Sequence, residues 1–93
     1  MFSIGQTVQT QGINQLCQDP INALKIQNAF SRYLKKDWGD LCDDDKKMND
    51  DALETDDRIL ASYHIQTASS LEKIYIVTEY DRSVTTVLLA NEY

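Results

Sequence analysis

Residues that break or brace a polypeptide are scarce in this chain: one proline, three glycines, two cysteines and one histidine among 93 residues. The shortage of proline and glycine excludes collagen-like and low-complexity chains. Cys17 and Cys42 allow at most one disulfide, so the chain is no disulfide-stapled miniprotein, and in a cytoplasmic setting both read as free thiols packed as small apolar residues. With His64 they offer at most three zinc ligands, at a spacing that matches no compact zinc motif. No metal or other cofactor is expected. Apolar runs are too short for a membrane span, and Met1-Phe2-Ser3-Ile4-Gly5 shows neither the basic nor the apolar part of a signal peptide. A cytoplasmic protein without a membrane partner is expected. Positive charge is scarce too, with nine Lys and Arg against fifteen Asp and Glu and a formal charge of −6. Such a field repels phosphate backbones, which argues against direct nucleic-acid binding.

What is present is a globular composition, 42% apolar and 26% charged, in a chain whose length suits a single domain over residues 1–93. Gln6-Thr7-Val8-Gln9-Thr10 reads as a short edge strand bounded by Gly5 and Gly12. Asp19-Pro20 is a helix start, with Asp19 as N-cap and Pro20 in the first helical position. The helix is expected to run to about Lys36, with Ile21, Leu24, Phe30, Tyr33 and Leu34 as its apolar stripe. After the break at Asp37-Trp38-Gly39-Asp40, a second helix is expected from about Asp43 to Leu53, burying Met48, Ala52 and Leu41. The pattern then turns to strand periodicity. Ile59, Ala61, Tyr63 and Ile65 share one face of a strand, and residues 73–79 and 83–89 form a hairpin closed by Tyr80-Asp81-Arg82. The fold class expected is α+β, an antiparallel sheet of three to four strands packed on two helices.

The strongest functional signal is acidity. Residues 37–57 hold ten Asp and Glu against Lys46 and Lys47, a charge of −8, which leaves +2 for the rest. Two readings fit: a solvated helix face whose Asp43, Asp44 and Asp45 cap the helix start, or an interaction surface that meets a basic partner, in imitation of a nucleic-acid backbone. On the second reading the binding residues are Asp40, Asp43, Asp44, Asp45, Asp50, Asp51 and Glu54. A calcium loop fails on detail, because Lys46 and Lys47 fall where an EF-hand needs ligands and a glycine. No phosphate-binding glycine loop or nucleophile elbow is present, and no enzyme activity is expected. Asp81 reads as a turn residue rather than as half of a carboxylate pair with Glu79. Arg58 and Arg82 read as structural ion-pair partners, and Trp38 as a core residue that closes one end of the domain.

Several stretches are familiar when taken together: Asp37-Trp38-Gly39-Asp40, Asp45 and Asn49, Arg58-Ile59-Leu60 with Ser62-Tyr63, and Ile76 to Leu89 with Glu92-Tyr93. They resemble a group of short bacterial proteins carried on plasmids, prophages and other mobile elements, some loosely labelled restriction-modification subunits. The resemblance covers about the C-terminal two thirds, and its most specific part is Thr78-Glu79-Tyr80-Asp81-Arg82-Ser83-Val84-Thr85-Thr86. That family tends to carry a histidine shortly before the Asp-Trp-Gly and a glycine before the arginine. Here those places hold Tyr33-Leu34-Lys35-Lys36 and Asp57. The resemblance implies a mobile-element setting, in which small acidic proteins often inhibit host defence, as anti-CRISPR or anti-restriction proteins do. The partner expected is a protein with a basic, nucleic-acid-binding surface. A different expectation is a self-associating accessory protein, a homodimer formed through the edge of the N-terminal strand or of residues 83–89.

Overall fold

Helix signals in the first half of the chain and strand periodicity in the second divide the molecule into a helical layer and a sheet, described for residues 2–93 in a computed structural model. In chain order the elements are β1 (Gln6–Gln9), α1 (Gln11–Leu16), α2 (Pro20–Leu34), α3 (Asp43–Thr55), β2 (Ile59–Gln66), β3 (Leu71–Thr78) and β4 (Val84–Leu89), followed by a short 3-10 turn, Ala90–Glu92. The class is α+β, as the sequence predicts. Among the described residues no helix is long and apolar enough to cross a membrane.

The sheet order is β1-β4-β3-β2. β2, β3 and β4 form an antiparallel meander, with Ile76 opposite Ala61 on one side and Val87 on the other. β1 joins it in parallel to β4, with Gln6 opposite Val84 and Gln9 opposite Val87. The sheet is therefore mixed rather than antiparallel. From β1 the chain crosses through three helices to the far edge of the sheet, and the three-strand return brings β4 back in the direction of β1. This order also corrects the expected pairing edge at residues 83–89, because β4 is hydrogen-bonded on both sides. The third helix, α1, was not foreseen; its only buried residue is Ile13.

The inner face of the sheet follows the predicted alternation. Ile59, Ala61, Tyr63 and Ile65 are all buried, together with Ile74, Ile76 and Val87. Each fully buried isoleucine contributes roughly 1.5–3 kcal/mol. α2 starts as expected, with the Asp19 carboxylate accepting the Ile21 amide at 2.9 Å and Pro20 just inside. Its buried stripe is different. Asn22, Ile26, Ala29 and Tyr33 face the sheet, whereas Ile21 and Leu24 are exposed. The i, i+4, i+7, i+11 row of those four residues is as helical as the predicted one, and Tyr33, which needs a buried hydroxyl partner, fixes the rotation.

That partner belongs to a relay through the core. The Tyr33 hydroxyl lies 2.6 Å from Thr78 Oγ1, Thr78 Oγ1 lies 2.7 Å from Thr85 Oγ1, and Thr85 Oγ1 donates to the Ile4 carbonyl at 2.7 Å. Only the last acceptor is fixed, so the donor order runs from Tyr33 to Thr78 to Thr85 to Ile4. All three side chains are fully buried. Thr85 and Thr86 point to opposite faces, as strand periodicity predicts, but Thr85 also ties the segment before β1 to the core.

Burial raises the Tyr33 hydroxyl pKa to about 12. A raised folded-state value means stability that is complete below the unfolded tyrosine pKa of about 10 and is lost as pH climbs from there toward 12. Unfolding midpoints measured across this range should therefore fall for the native protein and fall less for Tyr33→Phe. Thr78→Val strands the Tyr33 hydroxyl and removes a partner of Thr85, so it should destabilise the protein by roughly 1–3 kcal/mol in urea unfolding at neutral pH, and more than Tyr33→Phe does.

Candidate protein-binding face

Helix α3 carries most of the acidic residues and very little that could hold it by burial. Asn49 and Ala52 are its buried residues, and Met48, expected in the core, is 67% exposed. The helix is held instead by hydrogen bonds. The Asn49 amide donates to the Leu60 carbonyl at 2.8 Å and accepts the Leu60 amide at 3.2 Å. It thus takes the place of a neighbouring strand at the open edge of β2. Trp38, buried as expected, donates its indole N–H to Asp50 at 2.9 Å. At the other end the Arg82 guanidinium donates to the carbonyls of Ala52 at 2.8 Å and Asp57 at 2.7 Å. A cation is favourable at the negative end of a helix. Arg82 therefore pairs with backbone carbonyls, not with the acids expected.

The Asp37-Trp38-Gly39-Asp40 stretch completes this frame. The Asp37 carboxylate takes an ion pair from Arg32 at 2.8 Å and the Gly39 amide at 3.1 Å. The hydrogen bond from Arg32 holds the Asp37 carboxyl below its ordinary pKa. Gly39 adopts a positive φ of 79° and lies against β2, where an added Cβ would overlap the Ser62 carbonyl. On either side, the Asp40 amide donates to the Ser62 carbonyl at 2.7 Å and the Ser62 amide to the Trp38 carbonyl at 3.4 Å. Further along the same edge Lys25 donates to the Gln66 carbonyl at 2.6 Å. The edge of β2 is thus closed by local groups at Leu60, Ser62 and Gln66.

The seven acids singled out in the sequence fall into two sets. Asp40 and Asp50 serve the fold: Asp40 pairs with His64 Nδ1 at 2.9 Å, and Asp50 accepts from Trp38. Asp43, Asp44, Asp45, Asp51 and Glu54 are exposed on α3. Among the described residues the only acids in contact with a basic side chain are Asp37, on Arg32, and Asp40, on His64, so none of these five is paired. Helical spacing places Lys47 among them, one turn from both Asp43 and Asp51. Asp43, Asp44 and Asp45 lie in the first turn, where the helix dipole favours them, but the N-cap is Cys42, which makes no side-chain cap hydrogen bond. Cys42 is an exposed thiol, and Cys17 is half-buried.

The hairpin that dominates the resemblance is built as a turn. The Asp81 carboxylate accepts the Ser83 amide at 3.0 Å and the Ser83 hydroxyl at 2.6 Å, and these bonds lower its pKa. Arg82 follows with a φ of 60°. Arg58 stacks on the Tyr93 ring at 5.3 Å and donates to its hydroxyl, and Tyr93 meets Tyr75 edge-on at 5.4 Å. Among the described residues no group of His, Cys, Asp and Glu is placed to hold a metal ion.

No protein-family model matches the chain, and no curated protein or solved structure is significantly similar to it.

Sequence reasoning found the acidic helix but missed Asn49 and Arg82 as the groups that hold it. The available signal was Asn49 three residues before Ala52, a polar side chain on the buried face of a helix. Asn49→Ala leaves the Leu60 amide and carbonyl without partners and should cost roughly 1–3 kcal/mol by urea unfolding, with the β2 edge amides losing hydrogen-exchange protection. Asp81→Ala should also lower the melting temperature, through loss of both Ser83 bonds; an unchanged melting temperature would show that the turn does not need them.

Proposed function

We propose that this protein acts by binding, with the outer face of α3 occupying a basic, nucleic-acid-handling groove of a protein partner, and that it inhibits a host defence complex of the anti-CRISPR or anti-restriction kind. The observation that carries the reading is that Asp43, Asp44, Asp45, Asp51 and Glu54 are exposed on α3 without an ion pair and outnumber Lys46 and Lys47, the cations of the same helix. Like charges this close repel one another, which a helix tolerates but does not need for folding. A partner's Lys and Arg would relieve that repulsion and would be withdrawn from their nucleic acid. The mobile-element resemblance supports the choice of a defence complex as target.

A second reading is self-association through β1. The Gln6 amide donates to the Ser83 carbonyl just before β4 and the Thr10 amide to Val87 in it, so in a parallel pair the alternate residues, Thr7 and Gln9, turn their backbone groups outward. Unlike β2, this edge is exposed along its whole length. Light scattering at high micromolar concentration tests it: a dimer supports the reading, and a monomer removes it.

The test of the first reading is capture of partners from a bacterial lysate at rising salt, with a variant that reverses Asp43, Asp44, Asp51 and Glu54 to Lys. Asp50 is left alone because it holds Trp38. A specific partner should be retained at low salt, released as salt rises, and bound at least about a hundredfold more weakly by the reversed variant, whose circular dichroism stays native. A partner whose affinity ignores both salt and charge reversal would overturn the proposal.

A further inference from the structure

On α3 the exposed Met48 borders a concavity of the described surface. Between α3 and the start of β2 lies a groove of about 510 Å³, with Leu41, Ala52 and Leu60 as its apolar lining and Met48 at its margin. Asp45, Asp51 and Asp57 also line it, all exposed. Arg58 lines the groove as well, and Lys47 lies one turn from Asp51 on α3. Arg58 stacks on and donates to Tyr93, and Arg82 spends its guanidinium on the carbonyls of Ala52 and Asp57. Three carboxylates, Asp45, Asp51 and Asp57, against the one lining guanidinium of Arg58 leave the groove net acidic around its apolar strip.

We infer that this groove receives a segment of the protein partner that presents one bulky aliphatic side chain between basic residues. The inference rests on the reading that α3 binds a basic protein and names where the contact is anchored. Charge complementarity selects the occupant. An acidic or neutral segment would bring no counter-charge to Asp45, Asp51 and Asp57, whereas Lys or Arg on both sides of an anchor would meet them. The aliphatic anchor is set by the lining, because burying a leucine against Leu41, Ala52 and Leu60 removes apolar surface from water on both sides. Met48 suits the margin of such a site, since an unbranched thioether side chain adapts to the shape of what it covers. Salt-sensitive attraction by the outer face of α3 and salt-insensitive anchoring in the groove are then separate contributions on one helix.

Two labelled peptides separate the contributions: one with a central leucine flanked by Lys and Arg on both sides, and one of equal charge with serine in place of the leucine. The leucine peptide should bind at least about tenfold more tightly than the serine peptide, and should shift the amide resonances of Ala52 and Leu60. Met48→Gln, a neutral change at a position too exposed to upset the core, should reduce the leucine peptide to the affinity of the serine peptide and leave the serine peptide unchanged. Charge reversal at Asp43 and Glu54, outside the groove, should weaken both peptides alike. Equal affinity of the two peptides, no measurable binding of either, or indifference of the leucine peptide to Met48→Gln would each overturn the groove. Equal affinities that fall together on charge reversal would do so while leaving the acidic face standing as the binding surface.

Discussion

The side-chain amide of Asn49, bonded in both directions to the backbone of Leu60, is the contact on which the display of α3 depends. A helix with so little apolar surface gains little from burial and must be placed by directional bonds. An edge strand with unpaired amides and carbonyls, in turn, invites pairing with another chain. One asparagine meets both needs, because its amide carries the same donor and acceptor as a peptide group. Trp38 on Asp50 and Arg82 on the end of the helix extend the attachment along the length of α3. The same contacts define the groove, since they set the distance between Met48 and Leu60 across it.

A second polar device works inside the core. The hydroxyls of Tyr33, Thr78 and Thr85 satisfy one another and end on the Ile4 carbonyl, so that α2, β3, β4 and the segment leading to β1 are joined by one directional chain. Buried polar groups are costly when left unpaired and specific when paired. In a small domain the relay fixes which face of α2 meets the sheet, where apolar contact alone would accept more than one rotation. It also accounts for part of the Thr-Glu-Tyr-Asp-Arg-Ser stretch in structural terms: Thr78 and Thr85 belong to the relay, Asp81 to the turn and Arg82 to the end of α3.

The acidic residues divide along the same lines. Within residues 37–57, Asp37, Asp40 and Asp50 each have a partner within the fold, and the other acids of that segment lie on α3 and at its C-terminal end, with the Asp57 carboxylate accepting the Thr55 hydroxyl. Charge along the sequence rises as one block, but in space it separates into carboxylates that hold the structure and carboxylates that are available to a partner. The seven residues singled out in the sequence straddle that division, because a count of acids does not record which of them has a donor nearby.

Local chemistry alone determined the class of the fold, the start of α2 at Asp19-Pro20, the hairpin around Asp81, the inward face of β2 and the existence of an acidic helix. Each of these is set by residues close together in sequence, through capping, turn formation or a period of two residues, and each was legible there. Tertiary structure decided the rest: the parallel seating of β1 on β4, the rotation of α2 that buries Asn22 and Ile26 in place of Ile21 and Leu24, and the exposure of Met48. It also made Asn49 the seal of an edge and Arg82 the cap of a helix thirty residues away. Periodicity restricts the faces that a helix can bury but does not choose among rotations of similar hydrophobicity. That choice fell to hydrogen bonds between residues far apart in the chain, whose partners are known only once the chain has folded.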